Sequence, residues 1–339
     1  MPETQVGRDV EYAARLLRAG RLVAIPTETV YGLAADALNP SAVAAIFEAK
    51  QRPAFDPLIV HVADRNAAMD VVEQFPPLAE RLAIAFWPGP LTLVLPRRSC
   101  IPDLVTSGLP GVGVRVPAHP LTQQLLKAAG RPLAAPSANP FGGISPTTPQ
   151  HVLDGLAGRV DYVLDGGPCA VGVESTVVSL MQPRPQLLRP GGISLEDLEQ
   201  AAGPVELPQS AGPQDNAPQL APGMLSRHYA PGTPLQLLAA DADAYPIPGL
   251  RCGLLTWGPS HEIPGFERIY RLGMGEDLKI CAANFFAGLR DLDSAGLDVI
   301  IGRLFPEHGL GRALNDRLRR GAVGGSSSEV QAAHAPKGV

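Results

Sequence analysis

The stretch GRLVAIPTETVYGLAADALNPSAVAAIFEAKQRPAFDPLIVHV, residues 20–62, decides the fold. Within it the apolar run 22–25 reads as a buried strand, and Asn39-Pro40 supplies an N-cap with proline at the first helical position of a helix over 41–49. Val43, Ile46 and Phe47 share one face of that helix, and the run 58–62 returns as a second strand. Short apolar strands alternating with helices are the grammar of an α/β domain.

The alternation extends both ways. Helices are expected over 10–19, stopped by Gly20, and near 122–129 and 149–156, with strands at 91–95, 112–116, 133–135, 162–164 and 176–180. Prolines at 204, 208, 213, 218, 222, 231 and 234 then break the pattern and mark an extended linker. Beyond it Leu278, Cys281, Ala282, Phe285, Leu289 and Leu292 recur at helical spacing, and 253–256 and 299–301 read as short buried strands. The expected organisation is a first domain over 8–200, a proline-rich linker over 201–234, a small α/β domain over 235–322 and a disordered tail over 323–339, which has nothing to bury.

A chain of 339 residues suits two such domains better than one. Apolar residues make up 45% and aromatics only 5%, so the core is expected to be built from Ala, Val, Leu and Ile. The net charge is −5, and residues 1–200 hold 16 Lys/Arg against 19 Asp/Glu, so the electrostatic footprint of a dedicated nucleic-acid binder is missing. Cys100, Cys169, Cys252 and Cys281 are scattered without a CxxC pair and read as reduced thiols. The first residues, MPETQVGRDV, lack a signal-peptide pattern and no apolar run approaches a bilayer's thickness, so a cytoplasmic protein is expected.

No GxxxxGK[ST], strand-following GxGxxG, HExxH or GxSxG occurs, which removes four common catalytic signatures. What remains is a set of cations and hydroxyls in loops and at strand ends, where open α/β sheets bind ligands. In Lys50-Gln51-Arg52-Pro53 the chain is expected to be extended past a helix end, so that two exposed cations converge; compensation of the helix dipole is the alternative. Arg115 alternates with Val112, Val114 and Val116 and needs an anion, either an internal carboxylate or that of a ligand. His61 repeats this geometry within 58–62, where a satisfied core histidine is the bland reading.

Pro26-Thr27-Glu28-Thr29-Val30-Tyr31-Gly32-Leu33 offers hydroxyls in a turn, with a helix N-cap as the alternative. Ala135-Pro136-Ser137-Ala138-Asn139-Pro140, followed by Gly142-Gly143 and Ser145-Pro146, leaves a strand for a loop whose N–H groups could cradle an anion. Val173-Glu174-Ser175-Thr176 and Leu188-Arg189-Pro190-Gly191-Gly192 add a hydroxyl and another cation beside turns.

Taken together, PTETVYGLAADA, KQRPAFDPLIVHV, GVGVRVPAHP, APSANPFGGISPT, VESTVVSL and LLRPGGIS follow one another with family-like spacings, and the chain resembles the threonylcarbamoyl-AMP synthase family. PGMLSRHYAP at 222–231 carries the likeness into the second unit and points to the two-domain form. The resemblance implies a twisted open mixed sheet of the YrdC-like type, a smaller Rossmann-like α/β domain, and a linker that reaches the active site. It also implies that ATP, L-threonine and bicarbonate are condensed to an adenylate for tRNA modification. Lys50, Arg52, Ser137 and Asn139 match the family's KxR and SxN groups around the nucleotide, joined there by Asp56, Ala135, Ser145, Arg189 and Tyr229 from the linker. Thr29, His61, Arg115 and Ser175 would surround threonine. Asp56 stands where the family commonly has asparagine, Gly111 where threonine is common, and Leu225 and Ser226 where basic or aromatic residues are common.

Chemically, a carbamate must approach the α-phosphate of another anion, so Lys50, Arg52, Arg115 and Arg189 are expected to act by neutralisation and positioning, with no covalent nucleophile. Mg²⁺ is expected to be held by phosphate oxygens and water, with no protein metal site. Expected partners are downstream tRNA-modifying proteins that take the adenylate, with no stable nucleic-acid binding and no membrane. Two other readings stand beside this one: a double-stranded RNA or tRNA-binding module, and carbamoyl transfer of the hydrogenase-maturation type.

Overall fold

The computed structural model describes residues 3–207, 219–259, 263–275 and 277–323. The expected tail from 324 onward and the linker residues 208–218 lie outside the described residues.

The first sheet has ten strands: β1 (Gln5–Gly7), β2 (Val23–Ile25), β3 (Gly32–Asp36), β4 (Ile59–His61), β5 (Leu91–Pro96), β6 (Gly111–Arg115), β7 (Leu133–Ala134), β8 (Tyr162–Leu164), β9 (Thr176–Ser179) and β10 (Gln186–Arg189). Their order is β1-β8-β2-β3-β7-β4-β6-β5-β9-β10, open and mixed: β1, β8 and β2 run parallel, β2 and β3 antiparallel, β4 and β6 parallel. β1 lies upstream of the expected boundary at residue 8, and the helix Leu195–Ala202 crosses the one at 200. The PTETVYGL turn does not cap a helix; it joins β2 to β3. β3 escapes sequence reading because Gly-Leu-Ala-Ala-Asp, though buried throughout, holds no β-branched or aromatic residue and shows no alternation.

Helix Pro40–Lys50 starts where Asn39 accepts hydrogen bonds from Ser41 N and Ala42 N, with Pro40 at the first helical position. It lays Val43, Ile46 and Phe47 on one face of the sheet with Leu33, Val60 and Val114. Helices Val10–Arg18 and Pro120–Ala129 cover the other face through Ala13, Leu17 and Leu125. Strand alternation sorts β2 between the two cores, Ala24 to the first and Val23 and Ile25 to the second.

The second domain is a four-stranded parallel sheet of β11 (Leu235–Leu238), β12 (Cys252–Thr256), β13 (Arg268–Arg271) and β14 (Val299–Arg303), in the order β11-β14-β12-β13. This is a small Rossmann-like layer arrangement, packed by helices Leu278–Asp293 and Gly311–Ala322. Its core of Phe285, Phe286, Leu289, Ile300, Leu314 and Leu318 also takes in Val30, Ile144 and Val173 of the first domain and Tyr229 of the linker. The two domains therefore share one apolar cluster. Among the described residues no helix is long and apolar enough to cross a membrane.

Candidate active site

A cavity of ≈ 50 Å³ sits where the β2–β3 turn, β4, β6, the loop after β7 and the segment before β9 converge. Its floor follows from sheet register. β4 runs parallel to β6 with His61 paired to Arg115, so imidazole and guanidinium emerge side by side on one face. Arg115 is buried and has an internal partner: its Nη2 donates to Glu28 Oε1 at 2.6 Å, Nη1 to Thr29 Oγ1 at 2.9 Å and Nε to Gly89 O at 3.2 Å. Those bonds use three of five N–H groups and leave one on each terminal nitrogen, a pair that still matches a carboxylate. Burial first, and then the Arg115 charge, push the His61 pKa down to about 3, so the ring is neutral. Its Nδ1 is buried without a hydrogen-bond partner.

Ser175 and Arg189 form the opposite wall. The Ser175 hydroxyl lies 2.8 Å from Thr92 Oγ1, and Arg189 Nη2 donates to Ser175 O at 2.9 Å. Arg189 Nη1 donates to Pro222 O at 3.0 Å, which ties the linker to the wall.

Lys50 and Arg52 depart from expectation. The chain between them is not extended: Lys50 ends the helix and Gln51 adopts a left-handed conformation, φ 54°, with its N–H bonded back to Glu48 and Phe47. Nor are they exposed, at 1% and 7% accessibility, which also rules out a solvated helix end. Lys50 Nζ donates to the carbonyls of Ser137 and Asn139 and so pins the loop after β7. Burial, then the neighbouring Arg52, push the Lys50 pKa well below its ordinary value. Arg52 Nε donates to Asp56 O at 3.0 Å and Nη2 to Pro57 O at 2.7 Å.

The Asp56 carboxylate lies 2.9 Å from Arg52 Nη2, yet neither of its oxygens receives an aligned hydrogen bond, because Nη2 aims at Pro57 O. The pair is one of charge, and it answers the departure at Asp56: Arg52 offsets the carboxylate, whose pKa burial raises against the pull of Arg52 and Lys50. The departure at Gly111 has a packing reason. A Cβ there would come within 3.0 Å of Val94 Cγ1 and 3.2 Å of Met181 Sδ, so a threonine would require those side chains to give by a few tenths of an ångström.

Of the residues singled out from sequence, Thr29, Arg52, His61, Arg115, Ala135, Ser137, Ser175, Arg189 and Tyr229 line the cavity. Lys50, Asp56, Asn139 and Ser145 stand behind its surface. Asn139 Nδ2 donates to Pro140 O and Gly143 O, bracing the glycine turn, and Ser145 donates to Glu174 Oε1.

The linker closes the cavity. Pro222, Gly223, His228 and Tyr229 form its outer wall. Tyr229 is buried with φ 60°, a left-handed conformation that a bulky residue holds only under constraint, and its hydroxyl has no partner. Its ring lies 4.1 Å from that of His228 and 5.9 Å from that of Phe286. The second domain straps this segment down: Arg320 donates to Leu225 O, and Asp293 accepts from Gly232 N and Thr233 N. Leu225 is itself buried, which gives the apolar departure there a packing role.

Sequence reading missed Arg317. It is fully buried, its Nε donates to Glu174 Oε2 at 3.0 Å, and its guanidinium lies 5.2 Å above the Tyr229 ring. A signal existed: Ala313, Leu314, Arg317, Leu318 and Gly321 form one buried helical stripe, and an arginine on such a stripe needs a buried anion. Among the described residues no group of three or more His, Cys, Asp or Glu could hold a metal ion.

Two family descriptions match this chain, Telomere recombination over residues 15–191 and Threonylcarbamoyl-AMP synthase, C-terminal domain, over 193–323. A threonylcarbamoyl-AMP synthase of Bacillus subtilis is 42% identical over 326 residues, covering 93% of each chain. One from Pyrococcus abyssi is 40% identical over 322 residues, 92% of this chain and 93% of its own. The crystal structure of P. abyssi Sua5 complexed with L-threonine aligns with a TM-score of 0.85 at 38% identity, covering 94% of this chain and 97% of that one.

Proposed function

The chain belongs to the threonylcarbamoyl-AMP synthase family, and on that footing we propose that it condenses L-threonine, bicarbonate and ATP to threonylcarbamoyl-AMP and pyrophosphate, the adenylate used to modify tRNA. In class terms this is nucleotidyl transfer, carried out in the cytoplasm, with the product passed to tRNA-modifying proteins. One observation carries the reading: Arg52, Arg115 and Arg189 converge on a single chamber beside a neutral imidazole. Such a chamber suits two anions that must meet, and it supplies neither the paired zinc motifs of hydrogenase-maturation enzymes nor an open basic surface for RNA.

Threonine sits over the His61 and Arg115 floor. The two remaining terminal N–H groups of Arg115 take its carboxylate, while Thr29, Ser175 and the unpartnered His61 Nδ1 face its hydroxyl and amine. The neutral amine attacks bicarbonate, forming the N–C bond of the carbamate and releasing water. A carbamate oxygen then attacks the α-phosphorus of ATP, and the bond to the β-phosphate oxygen breaks as pyrophosphate leaves. Arg52 and Arg189 stabilise the charge that builds on the departing phosphates. Lys50 acts from behind by holding the Ser137 and Asn139 carbonyls, with Ala135, Ser145 and Asp56 shaping the nucleotide side. No side-chain nucleophile takes part.

Glu174, on the cavity wall, is engaged by Ser145 and Arg317, and Asp56 is paired with Arg52, so a Mg²⁺ ion would be held by ATP phosphate oxygens and water, where it would neutralise phosphate charge. A cavity of ≈ 50 Å³ is far below the roughly 300–1,000 Å³ of small-molecule sites, so the segment bearing Pro222 and Tyr229 swings out to admit ATP and closes again to keep water from the adenylate. The test is pyrophosphate release with each substrate omitted in turn. Release that needs ATP, threonine and bicarbonate together supports the reading; equal release without threonine or bicarbonate sinks it.

A further inference from the structure

The wall of this anion-receiving chamber contains a carboxylate, Glu174. Left bare, it would repel both the polyphosphate and the carbamate. Both its oxygens are engaged instead, Oε1 by the Ser145 hydroxyl and Oε2 by Arg317 Nε at 3.0 Å. The arginine belongs to the second domain and follows its partner by 143 positions in sequence. The same side chain donates from Nη1 to the carbonyl of Pro190, next to the cavity-lining Arg189, and lies 5.2 Å over the ring of Tyr229. A fully buried guanidinium thus touches the one acidic wall residue among those described, the residue after a chamber arginine, the aromatic that closes the chamber, and Asp316 at 3.1 Å, a carboxylate that Arg320 also holds.

We propose that Arg317 is a positioning residue for the reaction that acts through Glu174, cancelling its charge beside Arg189 and Tyr229, so that the second domain completes the electrostatics of a chamber built on the first. The inference rests on reading that chamber as the site of adenylate formation. A buried ion pair is a weak source of stability, and replacing both partners with neutral groups is often nearly neutral, whereas removing one leaves a bare charge. That asymmetry separates neutralisation from simple packing.

The experiment is steady-state pyrophosphate release by the full chain in Arg317→Met, Arg317→Lys and the double variant Glu174→Gln/Arg317→Met. Arg317→Met leaves Glu174 uncompensated and is expected to raise the KM for ATP by about 100-fold, with kcat changed much less. Adding Glu174→Gln should return that KM to within about threefold of wild type, and Arg317→Lys, which keeps the charge, should stay within about tenfold. Arg317→Met with an unchanged KM, or a double variant as impaired as Arg317→Met, overturns the proposal. Where Arg317→Met is too unstable to assay, Arg317→Lys decides: a KM near wild type supports neutralisation, and a larger rise overturns it. Wild-type release that does not depend on threonine and bicarbonate would instead count against the functional reading itself.

Discussion

Gly172 lies flush against Ala282: a Cβ on the glycine would overlap the Ala282 carbonyl, and the glycine's own φ is +77°. One residue of the first domain is thus held at contact distance from the backbone of a second-domain helix. Gly172→Ala combines left-handed strain with overpacking, together about 2–4 kcal/mol, and is expected to lower Tm by several degrees while weakening the closure over Tyr229. Scanning calorimetry reads the first effect and the ratio of free AMP to adenylate the second. A Tm within one degree of wild type would mean that this contact is loose.

Lys50→Ala should remove activity and also destabilise the fold. Exposed cations would have left Tm unchanged, but the buried Nζ is shared by the Ser137 and Asn139 carbonyls; Ser137 O keeps the Asn139 N–H at 3.0 Å, and stranding the Asn139 carbonyl costs roughly 1–3 kcal/mol, less whatever is recovered by no longer burying the ammonium. Urea unfolding is expected to show a loss of about 2 kcal/mol. An unchanged midpoint would return Lys50 to the role of a free cation.

Arg115→Lys keeps a charge for Glu28 but cannot present two parallel N–H groups to a second carboxylate. The KM for threonine is expected to rise about 10–100-fold at saturating ATP and bicarbonate. A drop in Tm with threonine KM unaltered would show that Arg115 serves only its internal partner.

Acid should unfold the protein partly through His61. Its folded-state pKa is depressed from 6.5 to about 3, so the stability tied to the neutral ring is complete above pH 6.5 and is lost as pH falls toward 3. At pH 5 the loss is about 2 kcal/mol. His151, held down to about 4 chiefly by burial, adds to the slope in the same direction. Urea unfolding at pH 7.5 and pH 5 should show a smaller drop for His61→Asn than for wild type, and equal drops would assign the acid sensitivity elsewhere.

Sequence alone revealed the parts of the fold that carry periodicity. Residues 58–62 form a short apolar run rich in β-branched residues, and Asn39-Pro40 announces a helix, so β4 and the helix Pro40–Lys50 before it are legible. β3 is Gly-Leu-Ala-Ala-Asp, without a β-branched or aromatic residue, and β13, Arg268–Arg271, is half exposed and charged, so neither shows a strand's signature. In the site, Arg115 could be singled out because an arginine among valines demands a partner, but choosing Glu28 over a ligand needs coordinates. The burial of Lys50 was hidden for a different reason: a left-handed Gln51 redirects the chain, and nothing local forbids the extended path. Arg317 depends on Glu174, which no local window connects to it.

The apolar cluster that joins Val30, Ile144 and Val173 to Phe285, Phe286 and Leu289 also limits how the gene can be shortened. A fragment ending at residue 207 would keep the whole ten-stranded sheet yet turn those three side chains toward water, together with the groove that received Tyr229. Such a fragment should associate or precipitate unless Val30, Ile144 and Val173 are replaced by polar residues. Independence of the first domain would therefore be a property of surface composition, to be engineered in, and not something that cutting the linker releases.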